Sequence, residues 1–298
     1  MARWSGRRGG TPGGRLRRRE RVLVLVKPDE AREMAARGEL DAAERPAADM
    51  LVVDDLAKAY GGVRAVDGVT FRVPAGAMAG LIGPNGAGKS TVLGMIAGAI
   101  RPDRGEILLD GANIAGSTAV STARRGVIRT FQTASVFSKM TVLENLLLGA
   151  PPSPGERLRS SFIGRRAWRR AEAEQVEQAR GLLARLDLTA HADSYAGELS
   201  GGQKRLVEIG RAMMAQPRLL LLDEPMAGVS RMLAAPIEAL IDGLRASGIT
   251  VVLIEHELGL VERLCSPVIV LAQGRVLKQG EMAECRADPE VRRAYLVG

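Results

Sequence analysis

The chain has 298 residues, 46% hydrophobic and 26% charged, with a formal net charge of +8 and two cysteines. That balance suits a globular protein with a full core and excludes a chain that is disordered throughout or stapled by disulfides. No apolar run approaches the ~20 residues needed to cross a bilayer, so a soluble protein is expected.

The positive charge is local. Residues 1–21 hold eight arginines (Arg3, Arg7, Arg8, Arg15, Arg17, Arg18, Arg19 and Arg21) against the single acid Glu20, which leaves the remainder close to neutral. Such an Arg/Gly run is usually a solvated, disordered tail. Residues 1–49 therefore read as a basic N-terminal extension, and no nucleic-acid partner is expected. Residues 29–40 within it have helical character, and the apolar stretch 22–26 is shorter than the ~7–15 residues of a signal-peptide core. Met50 is one reading of the true start. Cys265 and Cys285 lack metal-ligand spacing and read as reduced thiols in a cytosolic compartment.

From Met50 to Val73 the chain is strand-rich, with turn signals at Gly61-Gly62 and Asp67-Gly68. A strand at Met78–Ile82 leads through a glycine-rich turn into a helix over residues 89–100. Residues 141–149 and 166–186 look helical and charge-rich, separated by the breaker Pro151-Pro152-Ser153-Pro154-Gly155. Further buried strands are expected at 219–222, Thr250–Ile254 and Val268–Ala272. Short, wholly apolar runs between helices predict a mostly parallel sheet covered on both faces.

Gly83-Pro84-Asn85-Gly86-Ala87-Gly88-Lys89-Ser90 fits the pattern G-x-x-x-x-G-K-[ST], between a strand and a helix. The glycines let the backbone wrap closely around phosphates, and the helix start adds about half a positive charge. Lys89 suits β- and γ-phosphate oxygens, the Ser90 hydroxyl suits Mg2+, and Thr91 follows in the first helical turn. A merely flexible glycine loop would need neither the Lys-Ser pair nor the strand–helix frame. Downstream, an apolar run ends in Asp223-Glu224. The first acid suits the magnesium shell; the second can polarise an attacking water, a task typically contributing ~10²–10⁴-fold in rate.

Leu199-Ser200-Gly201-Gly202-Gln203, between those two motifs, resembles the signature of the ABC ATPase family, and the likeness covers residues 50–298. It implies an α/β P-loop fold with a mostly parallel core sheet, an N-terminal antiparallel β subdomain and a helical signature lobe at about 133–215. It implies that Tyr60 stacks on adenine, that Gln132 senses Mg2+ and water, and that His256 contacts the γ-phosphate. Ser200, Gly201, Gly202 and Gln203 then close over ATP held by a second cassette, identical or merely similar. His191 has no such context and reads as a surface residue. Ser230 stands where the family commonly has an aspartate, which puts the coupling between the two sites in doubt.

Arg129-Thr-Phe-Gln, Met140-Thr-Val-Leu-Glu-Asn, Ala227-Gly-Val, Glu255-His-Glu-Leu and Ala294-Tyr-Leu-Val-Gly are similar to the cassettes of branched-chain amino acid importers. The implied partners are transmembrane permease subunits at the cytoplasmic face of the plasma membrane and, indirectly, an extracytoplasmic substrate-binding protein. Thr133-Ala-Ser-Val-Phe would also suit a urea or short-amide importer. A non-transport ABC ATPase would need tandem cassettes or long coiled coils. A degenerate cassette would tend to lack Glu224 or His256.

Overall fold

The computed structural model describes residues 48–130, 135–152, 165–229 and 231–297. In chain order the elements are β1 (Asp49–Tyr60), β2 (Val63–Pro74), β3 (Met78–Ile82), α1 (Lys89–Ile96), β4 (Arg104–Leu109), β5 (Ala112–Asn113), α2 (Ala119–Arg124) and β6 (Val127–Arg129). They continue with α3 (Val142–Leu147), α4 (Arg165–Arg185), α5 (Gly201–Met214), β7 (Leu219–Asp223), α6 (Arg231–Ala246), β8 (Thr250–Ile254) and α7 (Leu258–Leu264). β9 (Val268–Ala272), β10 (Arg275–Gly280), α8 (Met282–Ala287) and α9 (Pro289–Val297) complete the chain.

Four runs decide the architecture, because β3, β7, β8 and β9 are buried at every position. Successive side chains in a strand point to opposite faces, so a strand buried throughout must be covered twice. Leu219, Leu221, Val252, Ile254, Ala79, Leu81, Ile269 and Leu271 join one core with α1 and the N-terminal strands. Leu220, Leu222, Val251, Leu253, Met78, Ile82, Val268 and Val270 join the other, with α3 to α7.

The central sheet has the order β10-β9-β3-β8-β7-β6. β9, β3, β8, β7 and β6 run parallel, and β10 pairs antiparallel with β9. A separate four-stranded antiparallel sheet has the order β2-β1-β4-β5. This is the expected α/β arrangement of a mostly parallel core sheet with an N-terminal antiparallel one.

Two local expectations are corrected. Asp67-Gly68 makes no chain reversal: it lies inside β2 as an irregularity in the pairing with β1, where Val69 faces Leu56 and Asp67 faces Ala57. Gly68 supplies the left-handed backbone, φ +78, that such a bulge needs. α1 also stops at Ile96, before the left-handed Gly98, φ +73, so it does not reach residue 100. The helical reading of residues 29–40, and the residues Gln132 and Ser230, lie outside the described residues.

α5 is the centre of the helical layer. Leu206, Val207, Ile209 and Met214 are buried in one cluster with Leu146 of α3 and Ala179, Leu182 and Leu183 of α4. Gly210 faces the end of α4: a Cβ there would stand 3.6 Å from Leu182 Cδ2 and 2.9 Å from Cδ1 of Leu186, the residue just past the helix.

Candidate active site

Parallel strands put their carboxyl ends on one edge, where ligands of open α/β sheets bind. β3, β8 and β7 are neighbours in the sheet, so the residues that follow each of them converge there. After β3 comes the glycine loop, after β8 comes Glu255-His256, and β7 itself ends in Asp223 before Glu224. Three motifs far apart in sequence thereby become one site.

The loop's glycines have separate reasons. A Cβ on Gly83 would stand 2.0 Å from Leu271 O of β9, and one on Gly88 would stand 2.4 Å from Ala65 O. Gly88 is also left-handed, φ +100, and caps α1 without any side-chain hydrogen bond. The backbone N–H groups that begin α1 lack intrahelical partners, as at any helix start. Lys89 is buried, and its Nζ donates to Gly83 O at 2.7 Å and Pro84 O at 3.0 Å. Burial pushes its pKa below the ordinary lysine value, while the nearby Glu224 and Asp223 carboxylates pull it back up. The lysine and both acids thus share one electrostatic neighbourhood. Asn85, Gly86 and Ser90 are exposed, Pro84 and Thr91 half-buried, and Ala87 buried beneath them.

Asp223 is 2% exposed. Its Oδ2 accepts from Arg129 Nη2 at 2.8 Å, and its Oδ1 is buried with no hydrogen-bond partner among the described residues. A buried, orphaned carboxylate oxygen is costly unless something meets it. With the exposed Ser90 hydroxyl, it is the hard-oxygen chemistry that suits Mg2+.

Glu224 Oε1 lies 2.8 Å from His256 Nε2. The Glu224 backbone is left-handed, φ +49, which costs a non-glycine residue roughly 1–2 kcal/mol and must be held in place by its surroundings. Its N–H donates to Ile254 O at 3.0 Å, which ties the base to β8. Glu255, 5% exposed, turns the other way: its carboxylate accepts from Met226 N at 2.8 Å and His256 N at 3.3 Å. Burial raises the Glu255 pKa despite those two bonds.

The remaining expected residues are placed as follows. Tyr60 ends β1 as a 49% exposed residue, with Lys58 Nζ 5.7 Å from its ring centre. Ser200 and Gly201 are exposed at the start of α5, and Gly202 is buried. Ser200 and Gln203 form a capping box, with Gln203 N donating to Ser200 Oγ at 3.3 Å and Ser200 N to Gln203 Oε1 at 3.0 Å. His191 is half-buried, not a surface residue: its Nε2 lies 3.3 Å from Gln203 Nε2. Gln132 lies outside the described residues.

Sequence reasoning missed the arginines. Arg129 pairs with Asp223, and Arg205 of α5 reaches the carbonyls of Asp223 and Glu224 at 2.8 and 2.9 Å. The available signal was a pair of charges at 205 and 208 interrupting the apolar positions of α5.

A phosphate cradle with a buried lysine, one sheet edge shared with an acid–histidine pair, defines a P-loop nucleotide hydrolase. The family described as ABC transporter matches residues 66–227, more than half of the chain. The high-affinity branched-chain amino acid transport ATP-binding protein BraF of Pseudomonas aeruginosa is 40% identical over 248 residues, covering 83% of this chain and 97% of that one. A probable branched-chain amino acid transport ATP-binding protein LivG of Methanocaldococcus jannaschii is 38% identical over 256 residues, 85% of this chain and 99% of its own. Among solved structures, a nucleotide-free ATP-binding cassette from an ABC transporter superposes with a TM-score of 0.71 at 38% identity, covering 83% of this chain and 99% of that one. A cassette in its ADP conformation does so with 0.71 at 37%, covering 84% and 99%. The chain belongs to the ABC transporter family, as one of its ATPase cassettes.

Proposed function

We propose that this chain energises an importer of branched-chain amino acids, with residues 50–298 as the nucleotide-binding domain and about 133–215 as its signature lobe. It would sit at the cytoplasmic face of the plasma membrane against permease subunits that receive substrate from an extracytoplasmic binding protein. The carrying observation is the convergence of the Lys89 cradle, Asp223, Glu224 and His256 on one sheet edge. The substrate rests on the relatives' names, BraF and LivG alike.

In this reading the cradle from Gly83 to Thr91 directs its N–H groups at the ATP phosphates, and Lys89 exchanges its two loop carbonyls for β- and γ-phosphate oxygens. Ser90 and Asp223 would hold Mg2+, with Gln132 completing the shell on family likeness alone. When bound, the ion offsets charge building up on the transferred phosphoryl group. Glu224 orients and polarises the attacking water, and a proton it takes up lies one hydrogen bond from His256. The exposed Tyr60 ring is free to stack on adenine. Ser200 to Gln203 close over the nucleotide of a second cassette; a 26% identical cassette solved as a dimer bound to ADP and Pi supports pairing.

The test is co-reconstitution of the chain with its permeases and binding protein in liposomes. Leucine, isoleucine or valine should stimulate both ATP hydrolysis and uptake of the labelled amino acid. Stimulation by urea or a short amide, with none by these three, would overturn the substrate assignment.

A further inference from the structure

We infer that Arg205 is a positioning residue that ties the signature helix to the hydrolytic base of its own subunit. The inference rests on the reading of Glu224 as that base. Arg205 leaves α5 little more than one turn after Ser200, and its side chain is 3% exposed. Its guanidinium meets three consecutive backbone carbonyls: Nη2 donates to Asp223 O at 2.8 Å and Glu224 O at 2.9 Å, and Nε to Pro225 O at 3.2 Å. The remaining arm donates to Glu208 Oε2 at 2.6 Å, a partner itself 2% exposed.

Only arginine can make this set. Its five N–H donors form a rigid plane, whereas a lysine ammonium is a compact point charge. Nor does the buried ion pair explain itself by stability, since apolar residues of similar volume often do as well or better in such places. What an apolar pair would lose is direction. The Glu224 backbone is held from both sides, its N–H by Ile254 O of β8 and its C=O by Arg205 of α5 together with Ala227 N, which donates to it at 3.1 Å. Of the anchors that hold the left-handed φ of +49 at Glu224, the one from α5 is Arg205. When the exposed Ser200 end of α5 engages a nucleotide on a second cassette, the Arg205 side chain carries the shift to Glu224. Each site's base is thus set by the neighbouring site's occupancy.

The experiment uses the full-length chain with ATP and Mg2+, and measures kcat, KM and ATP Kd for three variants. Glu224→Gln comes first and should bind ATP but not hydrolyse it. Arg205→Lys keeps the charge opposite Glu208 and loses the fork. The double substitution Arg205→Met with Glu208→Met removes both members of the buried ion pair together, so it keeps the test sound if the lysine variant folds poorly. Both Arg205 variants should lower kcat at least ~10-fold while ATP Kd stays within about 2-fold, since they misplace the base and spare the cradle. In the Glu224→Gln background, the same Arg205 changes should weaken the ATP-trapped dimer seen by size exclusion. Wild-type kcat in folded Arg205 variants overturns the inference, as does a rise in ATP Kd matching the fall in kcat, which marks a general structural role. Normal hydrolysis by Glu224→Gln is a distinct failure, because it removes the base reading and this inference with it.

Discussion

Two helices of this protein begin with glycine-rich segments, and they are finished in opposite ways. α1 starts after Gly88, whose left-handed backbone carries no side-chain cap, beside the buried ammonium of Lys89. α5 starts after Ser200, which closes a capping box with Gln203 and faces solvent. A helix start with open N–H groups and a cation is ready for an anion of its own. A start that meets its Ser200 and Gln203 N–H groups with a capping box is stable while exposed, and in the proposed function its serine and glycine backbone would meet a nucleotide brought by another subunit. Under the proposed function, the same local chemistry would serve as a primary cradle in one helix and a secondary clasp in the other, according to what caps it.

The sharpest way to separate the two is to stop hydrolysis without touching either helix. Glu224→Gln should reduce kcat by ~10²-fold or more while ATP binding persists, measured by phosphate release beside a nucleotide-binding titration. Lys89→Ala attacks the open start. Loss of a charge-assisted contact of ~1.5–3 kcal/mol should weaken ATP binding by about 10- to 100-fold in the same titration. Unchanged affinity would mean the cradle is not the primary site.

Ser200→Ala attacks the closed start and should do less to binding. Loss of the cap costs about 1 kcal/mol, visible as a lower melting temperature, while the isolated protomer's ATP affinity is preserved. If that variant lost ATP affinity as Lys89→Ala should, the two helix starts would not have separate tasks. The smallest effect belongs to α7, which ends at Cys265 against the sheet and joins neither helix start. Burial pushes the Cys265 thiol up to about 12 from 9.0, so the native protein should resist alkylation at pH 8 and react only when unfolded. Because the unfolded thiol ionises first, stability should fall as pH rises from 9.0 towards about 12. Cys265→Ala should reduce that slope in a melting series, leaving the part owed to Tyr295 and Cys285, whose pKa values burial also raises.

Much of the sheet was legible because burial on both faces leaves a plain mark. β3, β8 and β9 fall on their expected bounds, and β7 extends the expected run by Asp223 alone. The end of α1 was harder to place: residues 97–100 keep an apolar texture, and only Gly98 adopting the left-handed region shows where the helix stops. Asp67-Gly68 looks like a turn in isolation, but pairing with β1, and Asp67 N donating to Gly274 O at 2.8 Å, hold that stretch in place. His191 gave no sign of its neighbour, because the approach to Gln203 depends on how the segment before α5 folds back.

The parallel sheet, the glycine cradle, the acid pair at Asp223-Glu224 and the family could be read before any coordinates, since each is written in residue type and spacing along one stretch of chain. Tertiary structure alone decided that Arg129 grips the Asp223 carboxylate, that Arg205 grips its backbone, and that Glu255 anchors Met226. The physical reason is that a charged side chain reads as solvent-facing in one dimension. Its burial is tolerated only where partners from distant strands arrive to meet it.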